Sequence, residues 1–174
     1  SMGEEASADI TGLIGQYAHG NEPSHHISYM YAYAGQQWKT AEKVRYIMDE
    51  FYKDTPDGII GNEDCGQMSA WYILSSMGFY QMNPADGVYV FGSPRFDKMS
   101  VKVRGGKTFT VEAENNSKEN IYIQKVFLNG KPYKKTYITY DDILKGSTLK
   151  FVMGKKPDKA FGKAAVDRPI VLNK

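Results

Sequence analysis

The sequence predicts an α+β fold, three helices followed by an antiparallel β-sheet, and two observations carry that reading. Up to Met77, apolar residues recur every three or four positions, the spacing of one helix face. From Val88 onward they alternate with polar residues, the period of a strand with one buried side. Helices grouped first and strands second point to segregated layers rather than alternating units. The expected organisation is helices over residues 1–85, an antiparallel β region over 86–156, and a tail over 157–174. The residues from 155 onward carry no clear period and are expected to be extended or poorly ordered.

The elements follow in order. "SHHISYMYAYA" at 24–34 lies between Pro23, which suits the first position of a helix, and Gly35, a natural stop. Between Thr40 and Lys53, Ala41, Val44, Ile47, Met48 and Phe51 form an apolar stripe, which assigns Lys43, Arg45 and Glu50 to the water side. "TPDG" at 55–58 breaks that helix. A third runs from about Gly66 to Met77, apolar over a broad face and ended by Gly78. The strands are "VYVFG", "MSVKV", "TFTVEAEN", "IYIQKVFLNG", "TYITY" and "TLKFVMG". Arg104-Gly105-Gly106-Lys107 and Asn129-Gly130 read as tight hairpin turns, because glycine supplies the positive φ such turns require.

Composition narrows the function. A net charge of +2 gives no field that would favour nucleic acid or an anionic membrane. No apolar run approaches the roughly 20 residues that span a bilayer, and no basic-then-apolar signal opens the chain. Cys65 is the single cysteine, so no intrachain disulfide forms, and it reads as a small buried hydrophobe. The 13 Tyr, 8 Phe and 2 Trp are enough to serve both a core and the flat apolar faces of sugars.

The triplet Gly20-Asn21-Glu22 recurs as Gly61-Asn62-Glu63, each time ahead of a helix. If the helices stack as an up-and-down array, both triplets lie at one end, concentrating carboxylates and unpaired amide donors beside a single hollow. Simple helix capping by Asn and Glu is the competing reading. Asn21 and Glu22 offer oxygen ligands suited to calcium, although two side chains fall short of the roughly 6 to 8 oxygens calcium takes. His25 and His26 are adjacent and project apart on a helix, which disfavours a shared zinc ion; they either donate to sugar hydroxyls or pack. Glu63 and Asp64 stand just before the third helix, where the dipole keeps a carboxylate ionised, as a general base requires. Trp71 and Tyr72 supply either an aromatic wall or core filling, with core favoured for at least one.

Taken together, "YAHGNEPSHHISYMYAYAGQQWKT", "DGIIGNEDCGQMSAWYILSSMGFYQMNP", "VYVFGSPRFDKMSV" and "LNGKPYKKTYITYDDILKGSTLKFVMG" closely resemble, in order and spacing, the C-terminal portion of glycoside hydrolase family 92. The similarity runs from about residue 10 to about residue 157. These are calcium-dependent exo-acting α-mannosidases that invert configuration. The resemblance implies a parent joining a β-sandwich to an (α/α)6 barrel, with residues 1–85 as its last helices. It further implies Asp64 as general base, Asn62 holding a water where some members carry a second carboxylate, and Asn21 and Glu22 at the calcium. Glu22, His25, His26 and Glu63 are then the substrate-binding residues, the partner is a mannose-containing glycan, and the parent is periplasmic, extracellular or at the cell surface.

The family's general acid lies upstream, in a segment this sequence does not contain, so the isolated chain is expected to be inactive and the missing N-terminal part of the parent becomes a partner. Barrel faces left open predict self-association. The alternative is a non-catalytic carbohydrate-binding or structural module.

Overall fold

The structure, a computed structural model, describes residues 27–54, 66–83 and 85–170. A helical turn at 27–30 tightens into a 3-10 helix, Tyr31–Ala34, which Gly35 ends in the left-handed region at φ 78°. Helix α1 is Gln37–Asp54 and helix α2 is Gly66–Met77. The bounds of α2 match the sequence reading, while α1 starts three residues earlier than Thr40. Its first residue is held from outside: buried Gln37 donates through Nε2 to the carbonyls of Phe91 and Gly92, at 3.1 and 2.8 Å.

Eight strands follow: β1 (Phe79–Tyr80), β2 (Val88–Phe91), β3 (Lys98–Lys102), β4 (Thr108–Glu114), β5 (Tyr122–Leu128), β6 (Lys131–Pro132), β7 (Tyr137–Thr139) and β8 (Thr148–Gly154). They form two sheets, β1-β2-β7 and β3-β4-β8-β5-β6. Both expected hairpins are present. Val103 N–H donates to Lys107 O at 2.8 Å across the Gly105-Gly106 turn, and Asn129 and Gly130 both take positive φ between β5 and β6.

The wholly antiparallel expectation is corrected by β4 and β8, which pair in parallel from Thr110↔Thr148 to Glu114↔Val152. The cause is that β8 inserts between β4 and β5, and a strand antiparallel to β5 there runs with β4. Alternation reveals which face a strand buries but not its neighbour, so the sequence could not show this. Two further differences concern the ends of the β region. It begins at Phe79, inside the stretch expected to be helical, and a short helix α3 (Tyr140–Leu144) interrupts it before β8.

The tail also departs from expectation. Over 155–170 the chain is built of turns and a 3-10 helix, Ala165–Asp167, rather than extended backbone. Asp167 O accepts from the backbone N–H and the hydroxyl of Thr136, and the Arg168 side chain lies against Gly35, where a Cβ would meet it at 2.9 Å.

Two cores result. One joins the helices to the small sheet through Tyr29, Ala32, Val44, Met48, Trp71, Val88, Val90 and Tyr137, so the residue 85/86 boundary does not separate cores. The other lies under the large sheet and is built from Phe79, Phe91, Phe109, Val111, Ile123, Leu149 and Phe151.

Candidate functional site

Asn21, Glu22, His25, His26, Asn62, Glu63 and Asp64 all lie outside the described residues, as does Cys65. What the structure describes is the scaffold immediately after them. The described residues are already helical at 27, one position past His26, and α2 begins at Gly66, two past Asp64. The two helices are tied together. Fully buried Tyr29 shares a 2.7 Å hydrogen bond with the hydroxyl of buried Ser75, in the last turn of α2, and its ring tilts against Tyr80 at 5.5 Å. Gly92 permits this, since a Cβ there would sit 3.1 Å from the Tyr29 ring and hydroxyl.

The electrostatics of this layer follow from burial. Desolvation pushes the Tyr29 phenol far above the ordinary tyrosine range, with the Ser75 bond pulling weakly the other way. It therefore acts as a neutral structural group and not as a proton donor to chemistry. Trp71 and Tyr72 are both core residues, 0% and 6% exposed, which removes them as an aromatic wall. Ile27, Met30 and Ile73, in contrast, leave more than half their surface exposed on these same two helices.

Among the described residues no group of three or more His, Cys, Asp or Glu side chains could hold a metal ion. Asn21 and Glu22, which the sequence singled out, lie outside those residues and carry hard oxygen donors of the kind calcium takes.

Sequence reasoning missed one polar cluster. Arg45, assigned to the water side of α1, is only 4% exposed. Its Nη1 donates to Ser117 O at 2.8 Å, and its Nη2 to Ser93 Oγ at 3.0 Å, Asn116 Oδ1 at 2.8 Å and Pro94 O. Burial pushes its pKa down to about 10, with nearby Asp49 opposing. Glu42 accepts from Tyr122 Oη one turn before, and Asp49 pairs with Arg95 one turn after. Glu42, Arg45 and Asp49 recur at helical spacing, and that stripe was the available signal; its charged character concealed that it faces the start of β5 and loops of the β region.

Comparison with known proteins adds the following. The family model described as the glycosyl hydrolase family 92 catalytic domain matches residues 1–155. A protein described as an uncharacterized secreted glycosidase of Arthroderma benhamiae is 37% identical over 153 residues, covering 86% of this chain and 20% of that protein. The family 92 α-mannosidase BT3965 of Bacteroides thetaiotaomicron, solved in complex with mannoimidazole, is 43% identical with a TM-score of 0.80, over 87% of this chain and 20% of its own. The family 92 inverting mannosidase BT2199 of the same organism is 40% identical with a TM-score of 0.79, over 92% of this chain and 22% of its own. The chain thus spans about a fifth of the length of the relatives it matches.

Proposed function

Because this chain belongs to glycosyl hydrolase family 92, we propose that it carries the base-side part of an inverting, calcium-dependent exo-α-mannosidase acting on mannose-containing glycans. In this reading Asp64 removes a proton from water as the water attacks the anomeric carbon, opposite the leaving oxygen. Asn62 holds that water through its amide. Glu22, His25, His26 and Glu63 bind the sugar hydroxyls, and Asn21 and Glu22 hold the cation. A calcium ion held there would supply positive charge toward the mannose hydroxyls. The general acid comes from chain preceding these residues in the relatives, and the last helices complete an (α/α)6 barrel with that chain. The parent acts outside the cytoplasm, as the secreted description of the fungal relative suggests.

The observation that carries the reading is the family match over residues 1–155. The scaffold supports it. α2 starts two residues after Asp64 and is held by the buried Trp71 and the Tyr29–Ser75 bond, so the base would sit at the opening of an immobilised helix. Exposed Ile27, Met30 and Ile73 are apolar positions that further helices would cover. They are also the surface through which the chain alone would self-associate.

The test is mannoside hydrolysis by the longer protein. Asp64→Ala should lower kcat by about 10²- to 10⁴-fold, while the 174-residue chain alone releases no mannose; an unchanged rate in Asp64→Ala removes Asp64 as the base. The alternative, a binding module without catalysis, is excluded for the whole by mannose release from the longer protein.

A further inference from the structure

On α1, Arg45, Tyr46, Asp49 and Glu50 occupy the side away from Val44, Ile47 and Met48, which enter the helical core. Between that side and the loops at 93–97 and 115–118 opens a hollow of about 760 Å³. We propose that this hollow is a second, non-catalytic site that binds a neutral oligosaccharide. It shares no residue with the proposed catalytic set.

The first argument is an inversion of polarity. Neighbouring positions on α1 place the arginine inside, 4% exposed, and the tyrosine outside, 55% exposed. Phe96, on the opposite wall, is 43% exposed. Two large rings lining one hollow and left open to water offer the flat apolar surface that the C–H face of a pyranose covers.

The second argument is that the polar floor is fixed in advance. Arg45 holds Asn116 Oδ1 and the carbonyls of Pro94 and Ser117 from beneath, and Asp49 is paired with Arg95 beside them. The Asn116 amide nitrogen is left to act as a donor in a set orientation. A binding site that does not need to be ordered loses less free energy on association.

The third argument selects the ligand's charge. Arg45, Arg95 and Lys118 are balanced by Asp49, Glu50 and Asp97 in the lining. Such a surface attracts neither a polyanion nor a polycation. It offers closely spaced donors and acceptors instead, which suits a neutral polyol. The choice of a glycan among neutral ligands rests on the mannosidase reading; the existence of the site does not.

The test is affinity electrophoresis of the 174-residue chain through gels containing neutral, dephosphorylated α-mannan. Wild type and Asp64→Ala should be retarded alike, and Tyr46→Ala and Phe96→Ala should bind roughly tenfold more weakly, about 1.4 kcal/mol, with melting temperatures unchanged. If either ring variant melts early, Lys118→Met, at an exposed position that leaves both rings in place, must still weaken retardation. No retardation of the wild type overturns the proposal and leaves the rings as a protein-docking surface. Retardation lost in Asp64→Ala but kept in the ring variants also overturns it, because the mannan then sits at the helix openings. The catalytic reading fails separately, by unchanged hydrolysis in Asp64→Ala of the longer protein.

Discussion

The two cores solve different problems with different chemistry. Under the large sheet the packing is hydrocarbon and aromatic: Phe109, Val111, Leu149 and Phe151 interdigitate on alternate positions of β4 and β8, and Phe91 meets Phe151 edge-on at 5.0 Å. Of the buried polar residues, Ser28, Gln37, Thr40, Arg45, Ser75 and Ser76 belong to the helical layer, and Ser93, Thr136 and Ser147 to the β region. Hydrocarbon contact is non-directional and tolerates sliding. A buried hydrogen bond is costly unless its partner stands in one place. The helical layer, which leads out of the proposed catalytic segments, is therefore the part whose geometry is specified, while the sheet mainly adds stability.

The largest expected effect is alkaline unfolding. Burial raises the phenols of Tyr29 and Tyr133 far up, those of Tyr33 and Tyr122 to about 12, and that of Tyr89 as well. A group whose folded pKa is raised contributes stability that is complete below its unfolded value, 10.0, and is lost as pH climbs through the folded one. Arg45 opposes this, because its depressed pKa means the unfolded chain holds the extra proton above pH about 10. Five phenols against one guanidinium leave a net loss between pH 10 and 12. Tyrosinate absorbance should rise together with the loss of near-ultraviolet circular dichroism. Full ionisation near pH 10 with the fold intact would mean the helical layer is not closed to water.

Next in size comes Phe151→Ala, which empties a fully buried site and should cost about 3–5 kcal/mol in urea unfolding. Tyr29→Phe, nearly isosteric, should still cost about 1–2 kcal/mol, since Ser75 loses its partner inside the layer. The pair sharpens the contrast. Phe151→Leu keeps the volume nearly whole and should cost under about 1.5 kcal/mol; if it proves costlier than Tyr29→Phe, the sheet core is the more exacting one.

How much of this was legible in the sequence depends on which force placed each residue. Period and punctuation gave α2 to the residue, both glycine turns and the strands β2, β3, β4, β5, β7 and β8, because those features are local. Gln124 adds an irregularity in β5 that alternation hid, shifting the register against β8 between Ile123 and Lys125. Arg45 was assigned to water on its charge, and its burial depends on acceptors more than 45 residues away in the chain. The parallel β4–β8 pair and the turn-built segment after residue 155 are tertiary choices of the same kind. For the proposed catalytic residues, both Gly-Asn-Glu triplets lie outside the described residues; described helix is present at 27–30 and from Gly66, and Asp64 and its neighbours remain a proposal.

Helix α3 supplies the smallest and most local test. Thr139, read with "TYITY" as strand, ends β7 and caps α3: Thr139 Oγ1 accepts from Asp142 N–H at 3.3 Å, and Asp142 Oδ2 accepts from Thr139 N–H at 3.1 Å. α3 has no buried residue, and its first turn is held by this box together with the Tyr140 N–H donated to Gly87 O at 2.7 Å. Thr139→Ala should cost about 1 kcal/mol, and Thr139→Ser much less. Because Thr139 also ends β7 opposite Val88, the loss should appear as faster amide exchange in α3 and β7, while amides of α2 near Ser75 keep their protection. Equal loss of protection in α2 would show that the two cores unfold as one unit, and the division of labour between them would then be a matter of composition alone.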